Sequence, residues 1–461
     1  MRIKRKILIF IDYEMILRHF IVNETFKELS NNFDIVYVFN NDRHDFKHDN
    51  IVKKNINPKD IRITRVPRKR VGYWFFLYII TVLRQQIGTK NYRARVNQEY
   101  KRLGKKNVYL AKIAGLPIIY EIFRFFFIKI MGIHSDVIEI INKEKPDLII
   151  HPSILQGYFV NELLRFYISN KKSTPLIFLM NSWDNPSSKA LCTGKPSKLV
   201  VWGQQSKNHA VEYMKINSEK IECFGAAQFE VYKTKSILNR KDLCKMFNVN
   251  IDRKILLYAG SGSGSYETFY LKLLDTYIES GLMPNCQVIY RPHPWRGGLA
   301  EGEEDFLSLN MKNIIMDPTM IDYYKNEIRN PTGKMFLADY RVSRDLLTLV
   351  DAVISPLSTM LVESILNGKP ILMFFPNEAR GKGWEVDEIH FAEFINMKIV
   401  NKCFSEDQFL ESCKNLYSQI GDSEVAQKLK KASEFFVQPR SQTYGSQLLD
   451  LVDELLQKKI K

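Results

Sequence analysis

The sequence has few cysteines, no membrane-length apolar run and none of the short motifs that mark the commonest nucleotide and metal sites. Its six cysteines, Cys192, Cys223, Cys244, Cys286, Cys403 and Cys413, form no Cys-x-x-Cys pair and sit among apolar residues. That argues against a zinc ribbon or a disulfide framework and fits reduced, buried thiols. Tyr73 to Leu83 is apolar for eleven residues, where about twenty are needed to span a bilayer. The longer stretch from Gly115 to Ile133 is interrupted by Glu121, Arg124 and Lys129. The apolar run after the basic Met1 to Lys6 stops at Asp12, too short for the core of a secretory signal. No internal repeat or low-complexity tract occurs. There is no dinucleotide Gly-x-Gly-x-x-Gly, no P-loop lysine, no His-Glu-x-x-His and no Asp-x-Asp pair. A metal-free reaction with no cofactor is the expectation.

What is present is a long chain with one unusual region. At 461 residues it is too long for one ordinary core, and two or three domains are expected. The net charge of +16 is concentrated. Ile51 to Ile133 holds nineteen Lys and Arg but three Asp and Glu, so the rest of the chain is close to neutral. The same region holds Tyr73, Trp74, Phe75, Phe76 and Tyr78, then Phe123, Phe125, Phe126 and Phe127. Basic charge beside aromatic bulk is what a segment lying on an anionic membrane surface needs. The plainer reading is a basic surface over a normally buried set of rings. The expectation is a cytoplasmic protein held at the inner membrane face by residues 65–133, with no nucleic-acid partner.

Strand and helix patterns alternate. Lys6 to Ile11, Asp34 to Phe39 and Ile61 to Val66 predict strands, with a helix from Met15 to Ser30 between the first two. Pro146 to His151 and Pro175 to Met180 continue the set. A second set is expected from Lys198 to Phe375, followed by a helical tail. This predicts an α/β protein with two Rossmann-like parallel-sheet domains, residues 1–190 and 191–440, facing a central cleft. A terminal helix, 441–461, can cross back to the first domain.

Chemistry should gather at the carboxyl ends of the strands, where open α/β sheets bind ligands. Val288 to Arg291 is an apolar strand that ends in Arg291 and in His293, which is fixed between two prolines. Ala352 to Ser355 leads into Ser358 and Thr359 at a helix start, with Glu363 one turn on. Hydroxyls and unpaired N–H groups at a helix start suit an anion. Glu363 could accept from ribose hydroxyls. The Gly260–Ser265 run, including Ser261 and Gly262, lets backbone approach a ligand closely. On the acceptor side, Asp184, Asp12 and His151 are three candidates for a general base, in that order. Each has a structural alternative as a cap, turn former or hydrogen-bonded core group.

Arg291-Pro-His-Pro, Ser355-Pro-Leu-Ser-Thr, Glu363 and Gly368-Lys-Pro together resemble the donor-binding half of GT-B glycosyltransferases. The relevant groups are bacterial sialyl- and polysialyltransferases, capsule Kdo transferases and CDP-glycerol glycerophosphotransferases. Ser182 to Lys189, Val201-Trp-Gly203 and Phe224 to Phe229 are similar to further members of that set. The resemblance covers roughly residues 180–375. It implies a UDP-, CDP- or CMP-linked donor contacted by His293, Ser358 and Thr359, and a glycan or lipid-linked acceptor. It implies a role in building cell-surface polysaccharide, such as capsule or lipopolysaccharide. A nucleotide-sugar 2-epimerase of the same fold is the alternative, as is a non-catalytic binding protein.

Overall fold

The computed structural model describes residues 4–42, 44–260, 267–296, 298–299, 302–331, 336–375 and 389–458. The chain forms two compact units, residues 1–230 with 435–461, and residues 231–434.

The first unit holds a seven-stranded sheet. Its strands are β1 (Lys6–Ile11), β2 (Asp34–Asn40), β3 (Ile61–Thr64), β4 (Leu148–His151), β5 (Leu176–Leu179), β6 (Lys198–Val201) and β7 (Ile221–Cys223). They lie in the order β3-β2-β1-β4-β5-β6-β7, all parallel. The second unit holds β8 (Lys254–Ala259), β9 (Cys286–Arg291), β10 (Ile314–Met316), β11 (Ala352–Ser355), β12 (Ile371–Phe374) and β13 (Asn401–Cys403). Their order is β10-β9-β8-β11-β12-β13, again parallel. Central strands such as β1 are apolar without alternation, and Ile7 to Ile11 are fully buried. Parallel strands covered on both faces demand that pattern.

Three features differ from the sequence expectation. The strands β6 and β7 belong to the first sheet, so the first unit runs past residue 190 to Glu230. Strand–helix alternation continues without a break there, and only pairing of β6 with β5 reveals which sheet it joins. Second, the helix expected over Met15 to Ser30 is interrupted. Glu24 takes a left-handed φ of 52°, and Asn23 Nδ2 donates to the carbonyls of His19 and Ala227. Helix resumes at Lys27–Asn32. Third, β13 was not foreseen, because Asn-Lys-Cys carries almost no apolar signal.

The terminal helix Tyr444–Lys458 packs Tyr444, Leu448, Leu451, Val452 and Leu456 into the core beneath β1. Two glycines admit the segment that leads to it. A Cβ on Gly203 would meet the Phe436 carbonyl oxygen at 2.7 Å, and one on Gly225 (φ 87°) would meet that of Gln438 at 3.0 Å. Gln438 N–H donates to the Trp202 carbonyl, and Gln205 N–H donates to that of Phe435. The Trp-Gly and Phe-Gly motifs are therefore seats for the returning tail.

Residues 65–133 form the helical segments Arg68–Gln85, Tyr92–Ala114 (broken by a kink at Gly104, φ 78°) and Pro117–Met131, with a small core of their own around Trp74, Leu77 and Tyr78. Glu162 ties them to the sheet. Its fully buried carboxylate accepts from Arg70 Nε at 2.6 Å, Arg70 Nη2 at 3.0 Å, Trp74 Nε1 at 2.8 Å and the His134 N–H at 2.8 Å.

Candidate functional site

Each sheet has one point where strand order reverses, between β1 and β4 in the first and between β8 and β11 in the second. Crevices open there because successive crossovers leave the strand ends in opposite directions. The sequence-selected residues fall on both points.

In the first unit, Asp12 follows β1 and His151 ends β4, the neighbouring strand. Both side chains are fully buried, with His151 Nε2 at 3.3 Å from Asp12 Oδ2. His151 Nδ1 lies 2.9 Å from the Phe10 carbonyl oxygen. A carbonyl only accepts, so Nδ1 carries the proton and Nε2 is the basic nitrogen of the neutral ring. Phe159 and Phe178 stand edge-on to the imidazole and fix its plane. Among the described residues, neither Asp12 oxygen nor Nε2 has a hydrogen-bond partner, so the 3.3 Å approach of Nε2 to Oδ2 is all that offsets their burial. Buried polar atoms so poorly satisfied are rare in folded proteins, because each gives up water for little. The arrangement can take a proton at Nε2 and stabilise the resulting cation with Asp12.

Gly157 closes over this pair. A Cβ there would lie 2.3 Å from Asp12 Oδ2 and 2.7 Å from the Tyr13 hydroxyl. Gly157→Ala should therefore push Asp12 out of place and lower turnover by on the order of tenfold or more, as misplaced catalytic groups do. Turnover equal to wild type would show that Asp12 is not needed where it stands. Tyr13, whose hydroxyl donates to the Gln156 carbonyl at 3.2 Å, also lines a cavity of about 370 Å³. The insert helices supply Tyr78, Arg95 and Arg102 to it, and Lys189 comes from the turn after β5. A larger cavity, about 640 Å³, lies at the amino ends of β1 and β2 around Lys4, Asp34 and Asn57. That is the end opposite the strand exits, so it has no bearing on the site.

Asp184 stands elsewhere, in the turn after β5. Its carboxylate accepts from the Ser182 hydroxyl and from Asn185 Nδ2, and its carbonyl accepts from Ser187 and Ser188. These bonds shape the turn.

In the second unit, Ala259 and Gly260 end β8, Arg291 ends β9 and Ser355 ends β11, on adjacent strands. Ser355 Oγ donates to the Ala259 carbonyl at 2.9 Å and lies 2.8 Å from Ser358 Oγ. Its single proton is spent, so Ser358 is the donor of the second bond. Ser358 precedes the helix Thr359–Leu366 but its side chain does not cap it. The first turn of that helix thus has no side-chain cap from Ser358, although Leu361 N–H donates to the Ser358 carbonyl at 3.2 Å. Arg291 is buried; its guanidinium lies 3.4 Å from Asp317 Oδ2 and 3.4 Å from Ser343 Oγ. His293 Nδ1 accepts the Trp295 N–H at 3.1 Å, which leaves the ring proton of the neutral form on Nε2. Glu363 is buried and accepts from the Tyr232 hydroxyl. Burial, reinforced by Glu363, keeps that hydroxyl well above its ordinary pKa, so it stays protonated and donates to Glu363. Ser261 and Gly262 lie outside the described residues.

Sequence reasoning stopped at Trp295 and missed its neighbour. Arg296 is buried and pairs with Glu267 at 2.8 Å and with Glu303, while Tyr290 donates to Glu267 at 2.7 Å. Burial disfavours the Arg296 cation, but Glu267, Tyr290 and Glu303 hold its pKa above the ordinary value. The cluster fixes Glu267, the first residue of the helix Glu267–Glu279. A buried acid opening a helix after a Gly-Ser run was the available signal. Among the described residues, no group of three or more His, Cys, Asp or Glu side chains is arranged to hold a metal ion.

No protein-family model and no curated sequence matches the chain. Solved structures do match it in three dimensions. A Listeria monocytogenes protein assigned to the UDP-N-acetylglucosamine 2-epimerases superposes with a TM-score of 0.55 at 10% identity, over 99% of this chain and 97% of that one. The UDP-GlcNAc 2-epimerase of Neisseria meningitidis bound to UDP-GlcNAc gives 0.51 at 11% identity, covering 98% and 100%. UGT89C1 of Arabidopsis thaliana, complexed with UDP, gives 0.51 at 10% identity, covering 99% and 100%. The chain has the GT-B fold. Two parallel-sheet units of seven and six strands are its two halves.

Proposed function

We propose that this GT-B chain is a metal-independent glycosyltransferase acting in cell-surface polysaccharide synthesis. The second unit takes the nucleotide of a nucleotide-activated sugar, and the first activates an acceptor hydroxyl. The carrying observation is the buried Asp12–His151 pair at the first switch point, whose facing atoms lie 3.3 Å apart and have no hydrogen-bond partner among the described residues. The loop of residues 152–159 covers it, so the reading requires that loop to lift when acceptor binds. The cavity beside Tyr13 then receives a glycan or lipid-linked acceptor, and its Arg102 and Lys189 suit one that carries phosphate, while Arg95 is paired with Glu99. In the second unit, Thr359 and the helix start take donor phosphate oxygens, Ser358 joins them by exchanging its bond to Ser355 for one to phosphate, and His293 Nε2–H is a further donor. Arg291 supplies positive charge behind them. The two UDP-containing neighbours make UDP-sugars the first donors to test, before CDP- and CMP-sugars.

Epimerase chemistry is the second reading, because two of these neighbours carry that name. The cavity lined by the insert favours transfer, since an epimerase needs room for one substrate. Incubation with UDP-GlcNAc distinguishes them by product: UDP and transferred or hydrolysed sugar support transfer, and a 2-epimer refutes it. Activity should persist in EDTA. His293→Ala and Ser358→Ala should each weaken donor binding or turnover by roughly 1–3 kcal/mol, the cost of losing a hydrogen bond to a charged group. Unchanged nucleotide affinity and activity in both variants would remove the donor assignment.

A further inference from the structure

The apolar residues of the insert are not all spent on its core. Of the 22 exposed large apolar residues among the described ones, thirteen lie between Tyr73 and Ile130. The helix Pro117–Met131 carries six of them, Ile118, Ile119, Ile122, Phe125, Phe126 and Ile130. Ile118 is 77% exposed and Ile130 84%. Their spacing of three and four residues puts them along one side of the helix. The other side is occupied: Tyr120 and Ile128 are buried, and Phe123 and Phe127 pack against Phe76 and Trp74. One apolar side of this helix is therefore in the core, and a second apolar side, with Lys129 on it, is uncovered.

The charge around this face has one sign. The helix Tyr92–Ala114 exposes Lys101, Arg102, Lys105 and Lys106, and its last turns expose Tyr109, Leu110 and Ile113. Lys129 is exposed on the apolar helix itself. The two acids in these three helices are neutralised locally. Glu99 lies 2.7 Å from Arg95, and Glu121 lies 3.8 Å from Arg84 and 3.9 Å from Arg124. No described helix is long and apolar enough to cross a membrane.

We propose that the helix Pro117–Met131 and the end of Tyr92–Ala114 lie in the surface of an anionic lipid bilayer. Their exposed Ile, Leu and Phe side chains enter the acyl boundary, and the flanking Lys and Arg side chains meet anionic headgroups. The charge decides between lipid and a second copy of the chain. A symmetric dimer through this face would set the same basic region against itself, and like charges at close range oppose association. Anionic lipid supplies the opposite sign. Within the residues 65–133 singled out from the sequence, Trp74 and Tyr78 are buried, and the exposed apolar side chains concentrate on Pro117–Met131.

Co-sedimentation of the full chain with vesicles of phosphatidylcholine, alone or mixed with phosphatidylglycerol, tests this. The wild type should bind the mixed vesicles and release as salt rises, because headgroup attraction is screened. The double variant Ile118→Glu/Phe126→Glu should bind at least about tenfold more weakly, having lost two large apolar contacts. Both positions are exposed, so the variant should keep the wild-type melting temperature, which is measured in parallel. Sedimentation velocity should give a monomer for both proteins. No binding to mixed vesicles at low salt, equal binding to both vesicle types, or a dimer that the double substitution dissociates would each overturn the proposal.

Discussion

Asp12→Asn and His151→Gln should each lower kcat by on the order of 10²–10⁴, the usual cost of removing a general base, while UDP affinity stays at the wild-type value. In His151→Gln the accepting nitrogen is gone. In Asp12→Asn the nitrogen remains, but the carboxylate that would face the imidazolium at 3.3 Å is lost. The ring cannot turn to compensate, because Nδ1–H is held by the Phe10 carbonyl and the ring is flanked by two phenylalanines. The double variant should be little worse than either single one, since the two groups act as a unit. Thermal melts separate lost chemistry from lost folding. Replacing a buried carboxylate that accepts no hydrogen bond and has the 3.3 Å contact to Nε2 as its compensation should leave stability unchanged or raised. If both single variants keep near-normal kcat, the pair is structural. Asp184→Ala then becomes the informative variant, although its carboxylate is engaged by Ser182 and Asn185.

Glu162→Ala should destabilise the first unit by roughly 3–5 kcal/mol, the range for breaking one side of a buried ion pair. The substitution leaves the Arg70 guanidinium, at 16% side-chain exposure, without its carboxylate. It also strands the Trp74 indole N–H and the His134 N–H. Unpaired buried donors carry their full desolvation cost. Glu162→Gln keeps one acceptor oxygen and should cost less than the alanine. Urea denaturation of the full chain, read by tryptophan fluorescence, measures both. A loss below about 1 kcal/mol for the alanine variant would show that the carboxylate does not anchor the insert, since a single exposed ion pair is worth that much.

Strand positions were legible because they rest on local composition. Lys6–Ile11 was bounded to the residue, and Asp34–Asn40 within one. Element boundaries failed where a side chain reached across the fold. Nothing near Glu24 in sequence announces that Asn23 will bond the carbonyl of Ala227. The residues at the second switch point were legible because Ser355, Ser358 and Thr359 follow one strand in a single turn. Glu363 was legible as a charged helix residue, but its burial under Tyr232 was not, since Tyr232 belongs to a distant segment.

By itself the sequence determined two runs of parallel strands, the strand ends that carry hydroxyls, histidine and acid, and the confinement of excess charge to Ile51–Ile133. These follow from periodicity, turn chemistry and counting, which act over a few residues. Tertiary structure alone decided that Asp12 meets His151, because β4 pairs with β1 only after the whole insert has been crossed. It likewise decided that β6 and β7 extend the first sheet and that the tail returns to seat on Gly203 and Gly225. It chose which face of Pro117–Met131 is covered. Pairing and burial are set by long-range packing, where an apolar residue reads the same whether it will face a neighbour or water.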